Sequence, residues 1–294
     1  MQGIIVENIA NLYRVKVGNT IYEATARGKL KQSDIKPVVG DNVILELISE
    51  QEKKAVIEEI EERKIYVKRP KLANISQLVL VVSSKHPKPD LLMLDKQLAF
   101  AEYLGVNAVI VLNKIDLDKE HEFKKIKSIY EKIGYVVIET DAKAKKGINE
   151  LRKILENNIN AFSGNSGVGK STLINAIFED GMTQEGEISQ RNKRGKNTTT
   201  STKIYEINNN TYIADTPGFS TFSIEEIESK NLAIYFKELK NEIENCEFVG
   251  CTHIKEENCG IKEAIKEGKI SIERYDRFCK IYQELKQREE RKKW

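Results

Sequence analysis

The sequence predicts a multidomain chain in which a small antiparallel barrel, an α/β domain on a mostly parallel sheet and a helical segment around a metal-binding cluster follow one another. Three observations carry this. Short alternating runs bounded by turn residues fill the chain to about residue 64, strand-like and helix-like runs alternate beyond Arg69-Pro70, and three of the four cysteines later crowd beside a histidine. A length of 294 residues leaves room for about two or three such domains.

The barrel rests on five runs, residues 3–7, 12–17, 20–25, 42–48 and 55–60. Alternation is clear in L-Y-R-V-K-V and V-I-L-E-L, and Gly18-Asn19 is a two-residue hairpin signal. Five short strands make an OB-type barrel the natural expectation, a fold used for single-stranded nucleic acid. The loop 26–36 carries Arg27, Lys29, Lys31 and Lys36, a candidate phosphate-contacting patch, although glutamates at 58, 59, 61 and 62 argue equally for a solvated face.

Composition narrows the class. No apolar run approaches the ~20 residues of a membrane span, and the opening M-Q-G-I-I-V-E-N lacks the regions of a signal peptide, so a cytoplasmic protein without membrane contact is expected. With 48 basic and 45 acidic residues the net charge is only +3, so nucleic-acid binding has to rest on local patches. Cysteines grouped beside a histidine in a cytosolic setting argue for metal over disulfides.

The α/β region reads as strands at 75–82, 108–112, 135–139 and 159–162 separated by helices at 91–104, 122–133 and 148–155, the arrangement of a doubly wound sheet that binds ligands at its strand ends. After the run 159–162 comes Gly164-Asn165-Ser166-Gly167-Val168-Gly169-Lys170-Ser171-Thr172, matching the phosphate-binding pattern G-x-x-x-x-G-K-[ST] between a strand and a helix. The glycines let backbone N–H groups turn toward phosphates, and the helix start adds its positive dipole end. Lys170 is placed to reach the β- and γ-phosphates, and Ser171 to hold Mg²⁺.

Further motifs sit at other strand ends. Asn113-Lys114-Ile115-Asp116 resembles the N-K-x-D element with which GTPases read guanine. The Asp116 carboxylate can accept hydrogen bonds from the guanine N1–H and exocyclic amine, which adenine cannot offer, while Lys114 lies over the base and Asn113 braces the site. Thr140-Asp141-Ala142-Lys143 resembles the S-A-K element that supports the base. The stretch 182–203 reads as a basic loop, with Thr198 or Thr199 as candidate Mg²⁺ ligand. Asp215-Thr216-Pro217-Gly218 resembles the D-x-x-G of a second switch, in which Asp215 and Gly218 attend the metal and the γ-phosphate. Phe219 follows, where many GTPases carry a water-orienting glutamine, so intrinsic hydrolysis is expected to be slow. The base-reading motifs precede the phosphate loop, the reverse of the ordinary order. The fold class is therefore a circularly permuted P-loop GTPase, with the new join at 156–160.

Beyond it, Cys246, Cys251, His253 and Cys259 form a C-x4-C-x-H-x5-C set suited to a closed, tetrahedral structural Zn²⁺ site, and Cys279 reads as a small core residue. Helices are expected at 232–239, 261–265 and 272–285 with a charged, frayed tail. Arg274, Arg277 and Lys280 mark a face open to RNA, to protein or to solvent alone.

An OB-type β-barrel at 1–66, a circularly permuted G domain at 67–222 and a helical zinc-binding domain at 223–294 resemble, in that order, the bacterial small-ribosomal-subunit biogenesis GTPases, the RsgA or YjeQ family. The resemblance covers nearly the whole chain. It implies GTP hydrolysis to GDP stimulated by the small ribosomal subunit, binding to 16S rRNA and a role in late maturation of that subunit, in a protein expected to be a monomer. It supports residues 113–116 and 164–172 as GTP contacts, Mg²⁺ and one Zn²⁺ as cofactors, and the four cluster residues as zinc ligands. Catalysis would fall to Lys170 with Asn197 and Thr199. The family reads G-[KR]-H-T-T-T where this chain reads Gly195-Lys196-Asn197-Thr198-Thr199-Thr200. Asparagine orients water but is no titratable base, so either Asn197 suffices or the water is positioned elsewhere. The alternative is a nucleotide-gated RNA-binding module in which hydrolysis only resets affinity.

Overall fold

A computed structural model of the protein describes residues 1–28, 30, 35–179, 202–208, 210–215 and 224–292. In chain order its elements are β1 (Gln2–Ile9), β2 (Leu12–Val17), β3 (Thr20–Ala26), β4 (Asn42–Ser49), β5 (Lys54–Ile60), β6 (Tyr66–Lys68), β7 (Lys71–Ala73) and β8 (Gln77–Ser83). Then come α1 (Leu91–Leu104), β9 (Asn107–Asn113), α2 (Glu122–Ile133), β10 (Val136–Thr140), α3 (Ile148–Leu155), β11 (Ile159–Ser163) and α4 (Lys170–Glu179). β12 (Lys203–Asn208), β13 (Thr211–Asp215), α5 (Lys237–Lys240), α6 (Gly260–Lys266) and α7 (Ile272–Arg291) complete it. The chain divides into two compact units, Met1–Val79 with Ile148–Ser163 and Ser171–Ser220, and Leu80–Gly147 with Gly164–Lys170 and Thr221–Trp294.

The first unit contains the expected barrel. Strands run β1-β2-β3-β5-β4, and β4 pairs back onto β1 to close the ring. Closure needs one strand to serve two neighbours, and β1 does so through a bulge between Ile5 and Glu7, which bends it between β2 and β4. Alternate residues such as Ile5, Val15, Ala24, Val43 and Ile57 fill the interior. One polar knot fastens the barrel's end: fully buried Asp41 accepts hydrogen bonds from Val38 N at 2.7 Å and from Arg63 Nε and Nη2 at 2.7 and 2.8 Å. The same unit holds β11 parallel to β13, with β12 antiparallel to β13 and touching β1 through Glu7 and Lys203. The hairpin β6–β7 went unforeseen, its strands of three residues being too short to show a period.

The second unit orders its strands β10-β9-β8, with β9 and β10 parallel, among helices α1, α2 and α5 to α7. Its organising contact is ionic. Fully buried Asp95 on α1 receives Arg274, Arg277 (2.5 Å) and the Tyr130 hydroxyl (2.6 Å), and Arg274 also pairs with Glu238 on α5. The Arg274 guanidinium lies over the rings of Tyr130 and Phe236 at 5.2 and 4.8 Å. Arg274 and Arg277 are thus not part of an open binding face: Arg274 is 1% exposed, and both spend their charge on Asp95. The expected helix at 232–239 is a 3-10 turn, Ser229–Tyr235, followed by α5. The last helix runs past residue 285 to Arg291, where Glu289 accepts from Ser229 N and Oγ at 2.6 and 2.7 Å; residues 293–294, where fraying is expected, lie outside the described residues.

Asp95→Ala leaves Arg277 without its carboxylate and Arg274 with Glu238 alone. It is expected to lower stability by about 3–5 kcal/mol, read as a drop in the urea midpoint of the full chain.

Candidate nucleotide site and metal centre

The phosphate loop owes its shape to glycine. Gly164, Gly167 and Gly169 adopt φ of 142°, 81° and 98°, and a methyl group at Gly164 or Gly169 would run into Val81 O or Asn113 Nδ2 respectively. Lys170, the first residue of α4, curls its ammonium back onto Gly164 O and Asn165 O at 2.5 and 2.9 Å. Burial lowers its pKa from the ordinary lysine value, a setting in which an anion is the favourable neighbour. Asn165 Nδ2 donates to Asp90 at 3.1 Å, and Asp90 also caps α1 by accepting from Met93 N at 2.9 Å. Ser166 is exposed and Val168 buried, while Ser171 and Thr172 stand exposed in the first turn of α4.

The base-reading turn belongs to the same unit and is locked to this loop. Asn113 ends β9 at 2% exposure. Its Oδ1 accepts from Thr140 Oγ1 at 3.0 Å and Ala142 N at 3.3 Å, and its Nδ2 donates to Val168 O at 2.9 Å. Lys114 adopts φ 64° and extends Nζ to Gly167 O at 2.7 Å and His86 O at 2.5 Å. Ile115 is half-buried, and Asp116 is exposed in the short turn Ile115–Leu117. Thr140 and Ala142, read from sequence as a base-supporting element, thus sit beside Asn113. Sequence reasoning missed the segment 84–90, where Ser84 Oγ donates to Lys114 O at 2.8 Å and where His86 O and Asp90 make the contacts above. Two of those contacts use backbone carbonyls, which leave no mark on residue type. Asp215 is the last residue of β13. Asn197, Thr198, Thr199, Gly218 and Phe219 lie outside the described residues.

The second site is the cysteine–histidine cluster, whose four ligand atoms lie within 4.8 Å of one another. Cys246 Sγ and Cys259 Sγ are each 3.5 Å from His253 Nδ1 and 3.9 Å from each other. A tetrahedral Zn²⁺ with ordinary bond lengths requires about 3.6 Å for sulfur to nitrogen and about 3.8 Å for sulfur to sulfur, so the donor set fits that ion. Burial pushes the Cys251 thiol up to about 12 and lowers the His253 pKa, so burial favours the neutral forms of both, and a bound cation would offset that cost for the thiolate. The loop carrying the ligands is gathered by Glu256, which accepts from Thr252 N and Oγ1 at 3.0 and 2.8 Å and from Ile254 N and Lys255 N at 3.1 Å. Burial alone would raise that carboxyl, but these donors outweigh it and hold it at about 2. Tyr275 on α7 donates to His253 O at 2.7 Å. Cys279 stands apart from the cluster, half-buried, with its thiol pushed up by burial.

Of the basic loop, Arg27 is already paired with Glu58 and with Glu46 at 3.4 Å, and Lys29 and Lys31 lie outside the described residues. Lys36 and Lys71 border an open cleft of about 690 Å³ floored by Tyr13 and walled by Pro37 and Pro70, with no carboxylate partner among the described residues.

A phosphate loop hydrogen-bonded to an N-K-x-D turn that precedes it in the chain defines a circularly permuted P-loop GTPase. The chain belongs to the RsgA GTPase family: the RsgA GTPase model matches residues 60–225, and the RsgA N-terminal domain model matches residues 2–57. It is 39% identical over 300 residues to a protein of Agathobacter rectalis named small ribosomal subunit biogenesis GTPase RsgA, covering 98% of this chain and 99% of that one. A protein of the same name from Clostridium botulinum is 40% identical over 293 residues, with 99% and 100% covered. Among solved structures, YjeQ from Thermotoga maritima superposes with a TM-score of 0.84 at 34% identity over 97% of this chain and 98% of the other. YloQ, described as a circularly permuted GTPase, gives 0.81 at 28% identity over 98% and 95%. The chain is accordingly a GTP hydrolase.

Two outcomes follow from this geometry. Gly169→Ala displaces the Asn113 carboxamide and is expected to weaken GTP binding at least about tenfold, measured by fluorescent-nucleotide titration, with the circular dichroism spectrum retained. Glu256→Gln removes the charge that gathers the metal loop. Because the folded-state pKa is depressed, the wild-type advantage is full above the ordinary carboxylate value of 4.5 and is lost as pH falls toward about 2. At pH 7 the variant should release zinc to a chelator several-fold faster, with the gap closing below pH 4.5.

Proposed function

We propose that this protein hydrolyses GTP as a step in late maturation of the small ribosomal subunit, binding 16S rRNA and being stimulated by the subunit. What carries the reading is the triple hydrogen bonding of Asn113, which makes the base-reading turn and the phosphate loop one object, in a chain whose relatives, matched over their full length, are named for small ribosomal subunit biogenesis. Domains are assigned to 1–66, 67–222 and 223–294.

In this reading Asp116 accepts from the guanine edge, Lys114 and Ile115 flank the base, and Asn113 braces the turn. Residues 164–172 wrap the phosphates, with Lys170 leaving its two carbonyls for the β- and γ-oxygens. Ser171 with Thr198 or Thr199 would hold Mg²⁺, and Asp215 and Gly218 would complete the switch. The bound ion adds charge neutralisation across the transferred phosphoryl group. Asn197 and Thr199 are assigned the attacking water, since Phe219 offers no hydrogen bond to it. Cys246, Cys251, His253 and Cys259 hold one structural Zn²⁺. The cleft bordered by Lys36 and Lys71 is assigned to rRNA, its two unpaired ammonium groups suiting phosphates. A cytoplasmic monomer is the assigned setting, and among the described residues no helix is long and apolar enough to cross a membrane.

The test is GTP turnover at fixed Mg²⁺ with and without purified small subunits, large subunits serving as control. Stimulation of about tenfold or more by small subunits alone is the expected result. Tight GTP binding without stimulation would transfer the assignment to a nucleotide-gated RNA-binding module.

A further inference from the structure

Within the second unit the metal loop carries an apolar crown that serves no core. Four residues, Glu247-Phe248-Val249-Gly250, separate Cys246 from Cys251. They turn through Gly250 at φ 80° and a hydrogen bond from Cys251 N to Phe248 O at 3.3 Å. Phe248 is 57% exposed and Val249 wholly so. The other described phenylalanines, at 100, 123, 162, 178, 236 and 278, are all buried. Isolated exposed apolar residues are ordinary on protein surfaces. An adjacent pair at a crown pinned on both sides by cluster cysteines is different, because such a turn is ordered before any partner arrives, which lowers the entropic cost of docking.

The charge around the crown decides what it meets. Residues 242–258 contain glutamates at 242, 244, 247, 256 and 257 against a single lysine, Lys255. Glu256 is spent on the loop itself, Glu247 receives Asn258 Nδ2 at 2.6 Å, and Glu242 receives Asn245 Nδ2 at 2.8 Å. Glu244 and Glu257 are exposed, and no cation pairs with Glu244, Glu247 or Glu257 among the described residues. A knuckle built to stack on RNA needs cations for the flanking phosphates. This one presents an aromatic and a valine on a segment with five glutamates and one lysine, the complement of an apolar recess on a basic protein.

We propose that the Phe248–Val249 crown docks into an apolar recess on a basic protein component of the small ribosomal subunit, and not on its RNA. The inference rests on the proposed function for the identity of the particle; the crown and its charge specify the class of partner within it.

The experiment places a photo-reactive p-benzoylphenylalanine at Val249 of the full chain, binds it to purified small subunits with a non-hydrolysable GTP analogue, and sorts the cross-linked product into protein and RNA. A cross-link to a basic protein is expected. Co-sedimentation with the cross-link on rRNA, or with none, overturns the inference alone. A wild-type chain that does not co-sediment overturns the proposed function and the inference with it. Charge reversal supplies an independent sign. Glu244→Lys with Glu257→Lys should weaken subunit binding about fivefold or more, whereas an RNA partner would be held more tightly. Phe248→Ser with Val249→Ser should weaken it about tenfold or more, with GTP turnover in the absence of subunits and zinc content unchanged. Unaltered affinity in that variant overturns the proposal.

Discussion

The Asn113 carboxamide is the contact on which the nucleotide site depends. It sits at 2% exposure at the end of β9, and its oxygen and nitrogen reach residues 27 and 55 positions away in the chain. A buried hydrogen bond contributes only about 1 kcal/mol net, but a buried amide left unpaired costs about 1–3 kcal/mol, so the three contacts stand or fall together. Gly169 has to be glycine because Asn113 occupies the space a side chain would fill. Lys114 tolerates its left-handed backbone because its ammonium and carbonyl are both engaged, by Gly167 O and His86 O on one side and Ser84 on the other.

That dependence explains why the motif order can be permuted. The parts of the site are held by side-chain hydrogen bonds across loops, which do not record the order in which the chain supplies them. What permutation does demand is a sound join between the old ends. Residues 156–160 provide one in the first unit: fully buried Asn160 donates to Leu155 O and Tyr212 O at 2.9 and 3.0 Å and accepts from Gln77 at 2.8 Å. Asn158 accepts hydrogen bonds from Ser76 Oγ and Tyr212 N, and Asn157 N donates to Thr211 Oγ1. A join lined with asparagine carries its own partners for the backbone groups that a tight turn would otherwise bury unpaired.

Legibility in the sequence followed locality. The phosphate loop, the N-K-x-D turn and the cysteine set each lie within a dozen or so residues, so spacing alone exposed them, and the five barrel strands announced themselves by alternation. The barrel was expected from that pattern, but which strands close it was not readable, because β1 and β4 join residues about forty positions apart and the bulge that bends β1 changes no residue type. Asp95 was invisible for the same reason. It looks like one more acid on an amphipathic helix, and its partners at 130, 274 and 277 come from elsewhere in the chain. Reading Arg274 and Arg277 as surface cations was the natural error, since sequence shows charge and not its neighbour.

The Asp95 knot also changes where free positive charge remains. Two of the arginines on α7 neutralise a buried acid, Lys96 and Lys125 pair with Glu284 and Glu273 at 2.5 Å, and Lys237 is drawn to Glu102 at 3.3 Å. These pairs engage the cations nearest the Asp95 knot, and the metal loop of the second unit is acidic. Lys36 and Lys71, at the cleft of the first unit, keep their charge free of carboxylates among the described residues. On the proposed reading, a chain with a formal charge of only +3 would divide its partners by sign: unpaired cations at the first unit's cleft suit a polyanion, and an apolar crown on a glutamate-rich segment suits a basic partner. Net charge, being a sum, conceals both.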